Sequence, residues 1–305
     1  MHILFSVHFN SPRGGLHENV FSTVKHSLKC GCKTTVICRD GEFANRLIDI
    51  GSKVVTTDFS SIEETAEKVI SNDTSFNVIH THPGPSRKVA LQIAEKLNIP
   101  IVMTFHGMWI DSLPRYAKDL SAIFPVSEGV KDFLKTKLDD SYNDKFIVMP
   151  NGVDKSIYRP KKWNALKRKN KLNISLITRL DKDKDFIIQI FYKALKFTYE
   201  NYLDKVKWTI VGSGSEMELM KQTTTNITKN KQEVNFVGWK TGKKLLKYYQ
   251  NSDIIIAPGR SALEAMSCGK PVIAIGSKKY IGLISKENWT EGMYTNFGGF
   301  GKKME

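Results

Sequence analysis

Short apolar runs alternate with amphipathic helical patterns along the first half of the chain. In the stretch 87–97, Val89 and Ile93 recur at helical spacing and Asn98 stands where a helix should end, and 19–29 has a similar pattern. The apolar runs predict strands at 3–7, 34–38, 54–56, 78–81, 101–104, 122–126 and 146–149. This alternation indicates βαβ units and a doubly wound parallel sheet.

The pattern changes between residues 151 and 171, where Asn-Gly, a proline and a dense run of lysines and arginines replace the apolar period. Such a segment is typical of a linker, and we expect domains at 1–155 and 156–305. Beyond it the alternation restarts, with strands predicted at 174–178, 208–211, 234–237, 253–257 and 271–275, and helices at 186–200, 216–221, 243–250 and 262–268. Two successive α/β sheets create a cleft between domains, and ligands of such sheets bind at the carboxyl ends of the strands.

Composition narrows the class of protein. Of the 305 residues, 41% are hydrophobic and 10% aromatic, which is enough for packed cores. The first residues look like a strand rather than a targeting signal, and no uncharged apolar run is long enough to span a bilayer. Four cysteines without a secretion signal imply reduced thiols and a cytoplasmic protein.

The net charge of +15 is consistent with binding to a phosphorylated small molecule, an anionic membrane surface or nucleic acid. It is equally consistent with a lysine-rich solvated surface that binds none of them.

Two turns in the first half carry candidate binding chemistry. Gly14 and Gly15 follow the first predicted strand, where paired glycines allow a backbone to approach a ligand and the next helix offers N–H groups to an anion; an ordinary turn is the alternative. His106 follows a later strand, where it could bond a hydroxyl, stabilise developing charge or be purely structural. His80 and His82 alternate on one strand like a metal pair, but the sequence offers no third ligand.

The octapeptide TRLDKDKD, which follows the first strand of the second half, supports two opposing interpretations. Arg179 and Lys184 could clamp a diphosphate, the arginine through its fork and the lysine as a point charge. Asp181, Asp183 and Asp185 resemble an acidic metal-binding repeat instead. An EF-hand loop does not fit, and the interleaved lysines would repel a cation, so the sequence favours anion binding.

Gly212 and Gly214 mark another turn that opens a helix. The dinucleotide-binding fingerprint would need a third glycine where Met217 stands, which disfavours a Rossmann dehydrogenase.

The turn at 259–261 precedes the helix predicted at 262–268, and its serine can act as a helix cap. Backbone N–H groups at this point can hold a phosphate. Glu264, further along the same helix, can accept hydrogen bonds from a ribose diol as acids do in nucleotide-binding folds. The alternative is an acid that only stabilises the helix dipole.

In this order and spacing, the motifs resemble those of the retaining nucleotide-sugar glycosyltransferases of family 4. The matching segments cover nearly the whole chain: the glycine pair at 14–15, VIHTH at 78–82, TFHG at 104–107, PVSE at 125–128, NGVD at 151–154, RL at 179–180 with Lys184, VGSG at 211–214, FVG at 236–238, and LEAM with GKPV within 263–272. The resemblance implies the α/β GT-B fold, in which two Rossmann-like domains face each other across a cleft. The N-terminal domain would then lie on the acceptor side and the C-terminal domain would bind the nucleotide sugar.

The resemblance also implies roles for individual residues. Arg179 and Lys184 would hold the donor diphosphate and stabilise its developing negative charge, in place of a metal, so neither a metal nor a cofactor is expected. Glu264 would bind the ribose hydroxyls, Gly15 would approach the diphosphate from the other domain, and His106 would contact the donor sugar. His106, Arg179 and Lys184 are the predicted catalytic residues. The predicted donor-binding set is Gly14, Gly15, Gly212, Gly214, Gly238, Arg260, Ser261, Ala262, Leu263 and Glu264.

Two departures from the family pattern are visible. The family has a second glutamate eight positions before the one matching Glu264, and here that position is Ile256. The contact with the sugar hydroxyls would therefore come from Arg260 or be absent. The chain also ends at 305, soon after the last predicted strand, which suggests a truncated or short form of the second domain.

The sequence therefore predicts a glycosyltransferase that moves a sugar, with retention, from a UDP-type donor to a polysaccharide or lipid-linked acceptor. The basic surface would help the enzyme to dock on the inner face of an anionic membrane. A UDP-sugar 2-epimerase shares the two-domain architecture and is one alternative. A glycosyltransferase-like binding or scaffold protein is another, and a nucleic-acid binder is disfavoured because no recognised module is present.

Overall fold

The computed structural model describes residues 1–9, 14–161 and 171–298. Contacts divide the chain into two compact units, Met1–Asn151 and Gly152–Glu305. This boundary lies at the start of the predicted linker. The lysine- and arginine-rich part of that linker at 162–170, the turn at 10–13 and the chain end at 299–305 lie outside the described residues.

The described part of unit 1 forms a doubly wound parallel sheet, as predicted. Its strands are β1 (His2–Ser6), β2 (Lys33–Cys38), β3 (Lys53–Thr56), β4 (Val78–Thr81), β5 (Ile101–Phe105) and β6 (Ala122–Pro125). They are ordered β3-β2-β1-β4-β5-β6, and all their pairings are parallel. The helices are α1 (Gly15–Lys29), α2 (Glu42–Asp49), α3 (Ile62–Asn72), α4 (Pro85–Leu97) and α5 (Glu128–Lys135).

Local sequence signals account for these elements. Every residue of β1 is buried, as expected for a central strand covered on both faces. In α4, Val89 and Ile93 face the core, and Asn98 ends the helix in the left-handed conformation that asparagine tolerates. Ser61 and Ser127 cap α3 and α5 through their hydroxyl oxygens.

The strand predicted at 146–149 is wrong. Phe146 forms only an isolated parallel bridge with Ile123 of β6. Ile147 and Met149 then donate backbone hydrogen bonds toward β6, but both side chains are exposed. The apolar run therefore follows the edge of the sheet without becoming a buried strand, because nothing among the described residues covers its outer face.

The described part of unit 2 also forms a six-stranded sheet. Its strands are β7 (Leu172–Ile177), β8 (Val206–Val211), β9 (Val234–Phe236), β10 (Ile254–Ala257), β11 (Val272–Ile275) and β12 (Tyr280–Leu283). Its helices are α6 (Asp185–Tyr202), α7 (Met217–Thr228), α8 (Gly242–Asn251), α9 (Gly259–Ser267) and α10 (Trp289–Tyr294). The order is β12-β11-β10-β7-β8-β9, in which β12 alone pairs antiparallel.

The antiparallel strand β12 was missed because the chain reverses after β11 through a short turn, with no helix and only a weak apolar alternation. The helix predicted at 216–221 is longer than expected, since α7 extends to Thr228. None of the described helices in either unit is long and apolar enough to cross a membrane.

The sheet order of unit 2 determines which loops are neighbours. Because β10 lies next to β7, and β7 next to β8, the loops that follow these three strands emerge side by side at the carboxyl edge. The core beneath them is held by large buried side chains such as Phe191 and Trp208, whose rings meet edge to face.

Candidate functional site

The loop after β7 brings two predicted cations to one acid. Arg179 donates one guanidinium hydrogen bond to Asp181 and another, of 3.1 Å, to Asp183. Lys184 Nζ lies 2.7 Å from the same Asp183 carboxylate. Burial raises the pKa of Asp183, but the hydrogen bond from Lys184 and the charges of Lys184 and Arg179 outweigh it, so the net pKa is lowered. The sequence did not single out Asp183 as the group that joins the two cations.

Lys184 has a second partner from another part of the sheet. Its ammonium donates a hydrogen bond of 2.8 Å to Ser277 Oγ, in the turn between β11 and β12. The side chain of Lys184 is 18% exposed and that of Arg179 is 31% exposed. Both cations are therefore held in place while part of each remains accessible to an anion. Ser277 could not have been found from the sequence, because only the sheet order places it near residue 184.

The glycines after β8 make room for the loop that carries Arg179. A Cβ atom on Gly212 would lie 1.8 Å from the carbonyl oxygen of Thr178, and one on Gly214 would lie 2.4 Å from that of Leu180. Backbone hydrogen bonds join the two loops, from Leu180 N to Ser213 O and from Thr178 N to Val211 O. These glycines are thus required by loop packing, and their predicted contact with the donor remains a prediction.

Gly238 extends this arrangement to the loop after β9. Its carbonyl accepts a hydrogen bond of 3.1 Å from Gly212 N, and its φ of +70° lies in the left-handed region that glycine tolerates. The loops after β7, β8 and β9 are therefore joined by backbone hydrogen bonds along the carboxyl edge.

Helix α9 begins three residues earlier than predicted. Pro258 takes the N-cap position and Gly259, with φ +51°, is the first helical residue, so Ser261 lies inside the helix and is not its cap. The predicted residues Arg260, Ser261 and Ala262 occupy the first turn. In this turn the N–H of Gly259 already donates to Phe297 O and that of Ala262 to Pro258 O, so only the N–H groups between them are placed to meet an anion. Leu263 is partly buried against the apolar core of this half of unit 2.

Glu264 is buried and held by two side chains. Arg260 Nε donates to Glu264 Oε1 at 2.8 Å, and the hydroxyl of Tyr249 donates to Oε2 at 3.0 Å. Glu264 and Arg260 are only 4% and 8% exposed. Burial and the adjacent carboxylate raise the pKa of Tyr249 well above its usual range, so the phenol keeps its proton and donates. The sequence predicted the acid but not Tyr249, which lies on the buried side of the basic helix α8.

The position of the missing family acid also has a structural explanation. Ile256 is a buried residue of β10, paired in register with strands on both sides. Counting eight residues back from Glu264 therefore reaches the strand interior, because the turn before α9 is short. Arg260, which we gave as one possible source of the contact with the sugar hydroxyls, is paired with Glu264.

In unit 1, the structure places His106 directly after β5. Its Nε2 lies 3.2 Å from Nδ1 of His82, and the ring of His82 stacks on that of His80. Gly14 is buried and Gly15 is exposed at the start of α1, with open space where a side chain would lie. Gly14 and Gly15 follow β1, which β4 separates from β5 in the sheet.

The metal-binding alternatives gain no support from the described residues, in which no group of three or more His, Cys, Asp or Glu side chains is arranged to hold a metal ion. Asp181 and Asp183 are bonded to Arg179. All four cysteines are free thiols.

The candidate groups of unit 2 thus converge on neighbouring loops of one sheet edge. A fixed pair of cations follows β7, and a buried carboxylate lies on the helix after β10. Such an arrangement can hold a diphosphate and a vicinal diol on a single ligand.

Comparisons with known proteins show which proteins the chain is similar to. The chain is 25% identical over 253 residues to the alpha-monoglucosyldiacylglycerol synthase of Streptococcus pneumoniae. The match covers 71% of this chain and 55% of that protein. The four curated relatives that match are covered over only 44% to 64% of their own lengths.

Solved structures show the fold. Anabaena Alr3699/HepE in complex with UDP-glucose gives a TM-score of 0.71 at 19% identity, covering 89% of this chain and 79% of that one. The UDP-GlcNAc 2-epimerase of Neisseria meningitidis, bound to UDP-GlcNAc, gives 0.59 at 15% identity, covering 98% and 96%.

Models of two families divide the chain between them. Residues 13–157 match the model described as Glycosyltransferase Family 4, and residues 159–289 match the one described as Glycosyl transferases group 1. The first lies almost wholly within unit 1 and the second within unit 2. The protein therefore belongs to the family 4 glycosyltransferases with the GT-B fold.

Proposed function

We propose that this glycosyltransferase takes a sugar from a UDP-type donor and transfers it, with retention, to a lipid-linked or polysaccharide acceptor. The observation that carries the proposal is the pair Arg179 and Lys184, fixed in the loop after β7, next to the strand that leads into the helix bearing Glu264. β7 and β10 are hydrogen-bonded neighbours, so the cations and the carboxylate share one sheet edge. A nucleoside diphosphate offers both an anion and a diol for these groups.

The cations act on the leaving group. As the glycosidic bond breaks, negative charge accumulates on the departing diphosphate, and preorganised positive charge lowers that barrier. Arg179 and Lys184 supply this charge without a metal in our proposal. On binding, the diphosphate oxygens take over the contacts that Asp183 makes with Arg179 and Lys184.

The carboxylate of Glu264 holds the ribose. Oε1 accepts a hydrogen bond from Arg260, and Oε2 accepts one from Tyr249. A carboxylate oxygen has two lone pairs, so it can accept a ribose hydroxyl while these bonds persist. Arg260 and Tyr249 then fix the carboxylate in the orientation that the diol requires.

The acceptor and the location are proposed together. One relative is named alpha-monoglucosyldiacylglycerol synthase, and the chain carries a net charge of +15. A basic protein is attracted to an anionic membrane surface, where a lipid-linked acceptor would be presented. We therefore place the reaction at the cytoplasmic face of a membrane, with the protein bound peripherally.

Titration calorimetry with UDP and with uridine tests the donor site. Lys184→Ala should weaken UDP binding at least tenfold and leave uridine binding unchanged, because only the diphosphate meets the cation. Lys182→Ala is the matched control, since Lys182 is an exposed lysine of the same loop and its substitution removes an equal charge. Glu264→Gln should weaken the binding of both UDP and uridine. Equal losses for Lys182→Ala and Lys184→Ala would refute the diphosphate clamp.

An epimerase is the second candidate, because the UDP-GlcNAc 2-epimerase of Neisseria meningitidis shares the fold over almost the full length of both chains. Proton NMR of UDP-GlcNAc and UDP-glucose incubated with the protein alone distinguishes the two. An epimerised or free sugar formed without an acceptor would favour the epimerase. Sugar transfer that requires an added acceptor would favour the glycosyltransferase.

A further inference from the structure

Three histidine rings lie in a row near the carboxyl edge of unit 1, with His80 stacked on His82 and His106 tilted against His82. The ring centroids of His80 and His82 lie 5.3 Å apart, and those of His82 and His106 lie 5.2 Å apart. Nδ1 of His82 lies 3.2 Å from Nε2 of His106, within hydrogen-bonding distance. At the far end of the row, Nε2 of His80 lies 2.7 Å from the Thr104 hydroxyl.

The middle ring is unusual in its burial. His82 is 0% exposed, and among the described residues its Nε2 has no partner in hydrogen-bond geometry. Burial, reinforced by the neighbouring rings of His106 and His80, lowers the pKa of His82 well below its usual range, so this ring is neutral. Burying a ring nitrogen without a hydrogen-bond partner destabilises the fold.

We propose that His82 is a positioning residue for His106. The inference rests on the proposed function, in which His106 contacts the donor sugar. A neutral His82 offers Nε2 of His106 one definite partner, and the stacked His80 keeps the plane of His82 from rotating. Nε2 of His106 is thereby bonded to His82, and Nδ1 is the ring nitrogen that contacts the substrate.

This arrangement has a chemical consequence. A neutral imidazole carries one N–H and one lone pair, so one of the two rings donates in this hydrogen bond and the other accepts. In the proposed arrangement Nε2 of His106 donates to Nδ1 of His82, so His106 is held in one tautomer as well as one orientation. A group fixed in this way meets the substrate without the loss of rotational freedom that a mobile side chain would suffer.

Two variants of His82 separate positioning from packing. His82→Leu keeps an apolar side chain of similar bulk but removes the hydrogen bond to His106. His82→Asn places an amide group close to where Nδ1 lies, and so keeps a bonding partner for Nε2 of His106. His80→Leu tests the stacking separately, because it removes the ring that restrains His82 without removing either atom of the hydrogen bond between His82 and His106, and we expect it to have a smaller effect than His82→Leu.

The first readout is ¹⁵N NMR of the full chain with labelled histidines, with the His106 signals assigned through His106→Asn. We expect one His106 tautomer in the wild type and in His82→Asn, and tautomer averaging in His82→Leu. This measurement needs no substrate, so it tests the positioning even if the protein proves not to be a transferase. Identical His106 shifts in the wild type and His82→Leu would overturn the proposal.

The second readout is steady-state kinetics with the donor identified by binding. We expect kcat of His82→Leu to fall by about 10²-fold with KM nearly unchanged, and His82→Asn to recover at least tenfold of that loss. If both variants lose activity and thermal stability in parallel, His82 is only a packing residue. If NMR shows the tautomer locked but no donor is turned over, the proposed function fails while the positioning stands.

Discussion

The buried pair of Arg260 and Glu264 allows the sharpest test of the donor site, because its effects on stability and on binding can be separated. Both groups lie on α9, four residues apart, and are almost completely shielded from water. In Glu264→Leu the guanidinium stays buried without the carboxylate at 2.8 Å, and the Tyr249 hydroxyl loses its charged acceptor. Removing one partner of a buried ion pair destabilises a protein by about 3–5 kcal/mol.

Thermal unfolding and urea titration measure this loss. For a domain of about 150 residues, 3 kcal/mol corresponds to a decrease in Tm of about 6–12 °C. Arg260→Met in the same chain also removes the buried guanidinium, and we expect the double variant to regain about 1–3 kcal/mol as the interaction energy of the cycle. UDP binding should remain lost in the double variant, because the ribose acceptor is still missing.

Two outcomes would refute this reasoning. A Tm for Glu264→Leu within about 2 °C of the wild type would show that the ion pair contributes little to the fold. UDP binding at wild-type affinity by the stable double variant would show that Glu264 does not hold the ribose, whatever its effect on stability.

The remaining predictions concern backbone packing and pH. Gly212→Ala should destabilise unit 2 by about 1–3 kcal/mol in urea unfolding, because the new Cβ would overlap the Thr178 carbonyl. Gly15→Ala is the control, since its Cβ meets open space and should change stability by less than about 0.5 kcal/mol. Equal losses in the two variants would contradict the packing role of Gly212. Burial lowers the pKa of both His8 and His80 from 6.5 to about 4. Between pH 6.5 and pH 4 the unfolded chain therefore binds more protons than the folded protein, so the free energy of unfolding should fall as the pH decreases through this range. The decrease is at most about 1.4 kcal/mol per pH unit for each ring. Urea titrations at pH 7 and pH 5 check this decrease, and a stability that rises toward pH 5 would contradict the sign; His80→Leu should show a shallower dependence.

Much of the fold could be predicted from local signals. A strand covered on both faces must be apolar at nearly every position, and a helix against a sheet must repeat its apolar residues about every 3.6 residues, so the two α/β sheets and most of their parallel strands were predicted correctly. The failures occurred where tertiary context decided the outcome. The apolar run after Phe146 lacks a covering layer and stays irregular, and β12 depends on pairing with β11 rather than on its own pattern.

The candidate site divides in the same way. Sequence spacing marked Arg179, Lys184 and Glu264, because charged residues directly after apolar strands fall at the carboxyl edge of a parallel sheet. Sequence spacing could not indicate that Tyr249 and His82 would bond to predicted site residues. These two are buried polar residues, and a polar side chain in a buried position carries no signature of its partner until the chain is folded.

The sequence by itself determined the alternation of strands and helices and the residue types at the strand ends, since these depend on neighbours within a few positions. The tertiary structure decided which partner each buried polar group meets. That choice depends on the order β12-β11-β10-β7-β8-β9 and its counterpart in unit 1, which brings together residues far apart in the chain, such as Lys184 and Ser277. Because a buried charge or imidazole is stable only with suitably placed partners, those distant contacts fix the orientation of the groups on which the chemistry depends.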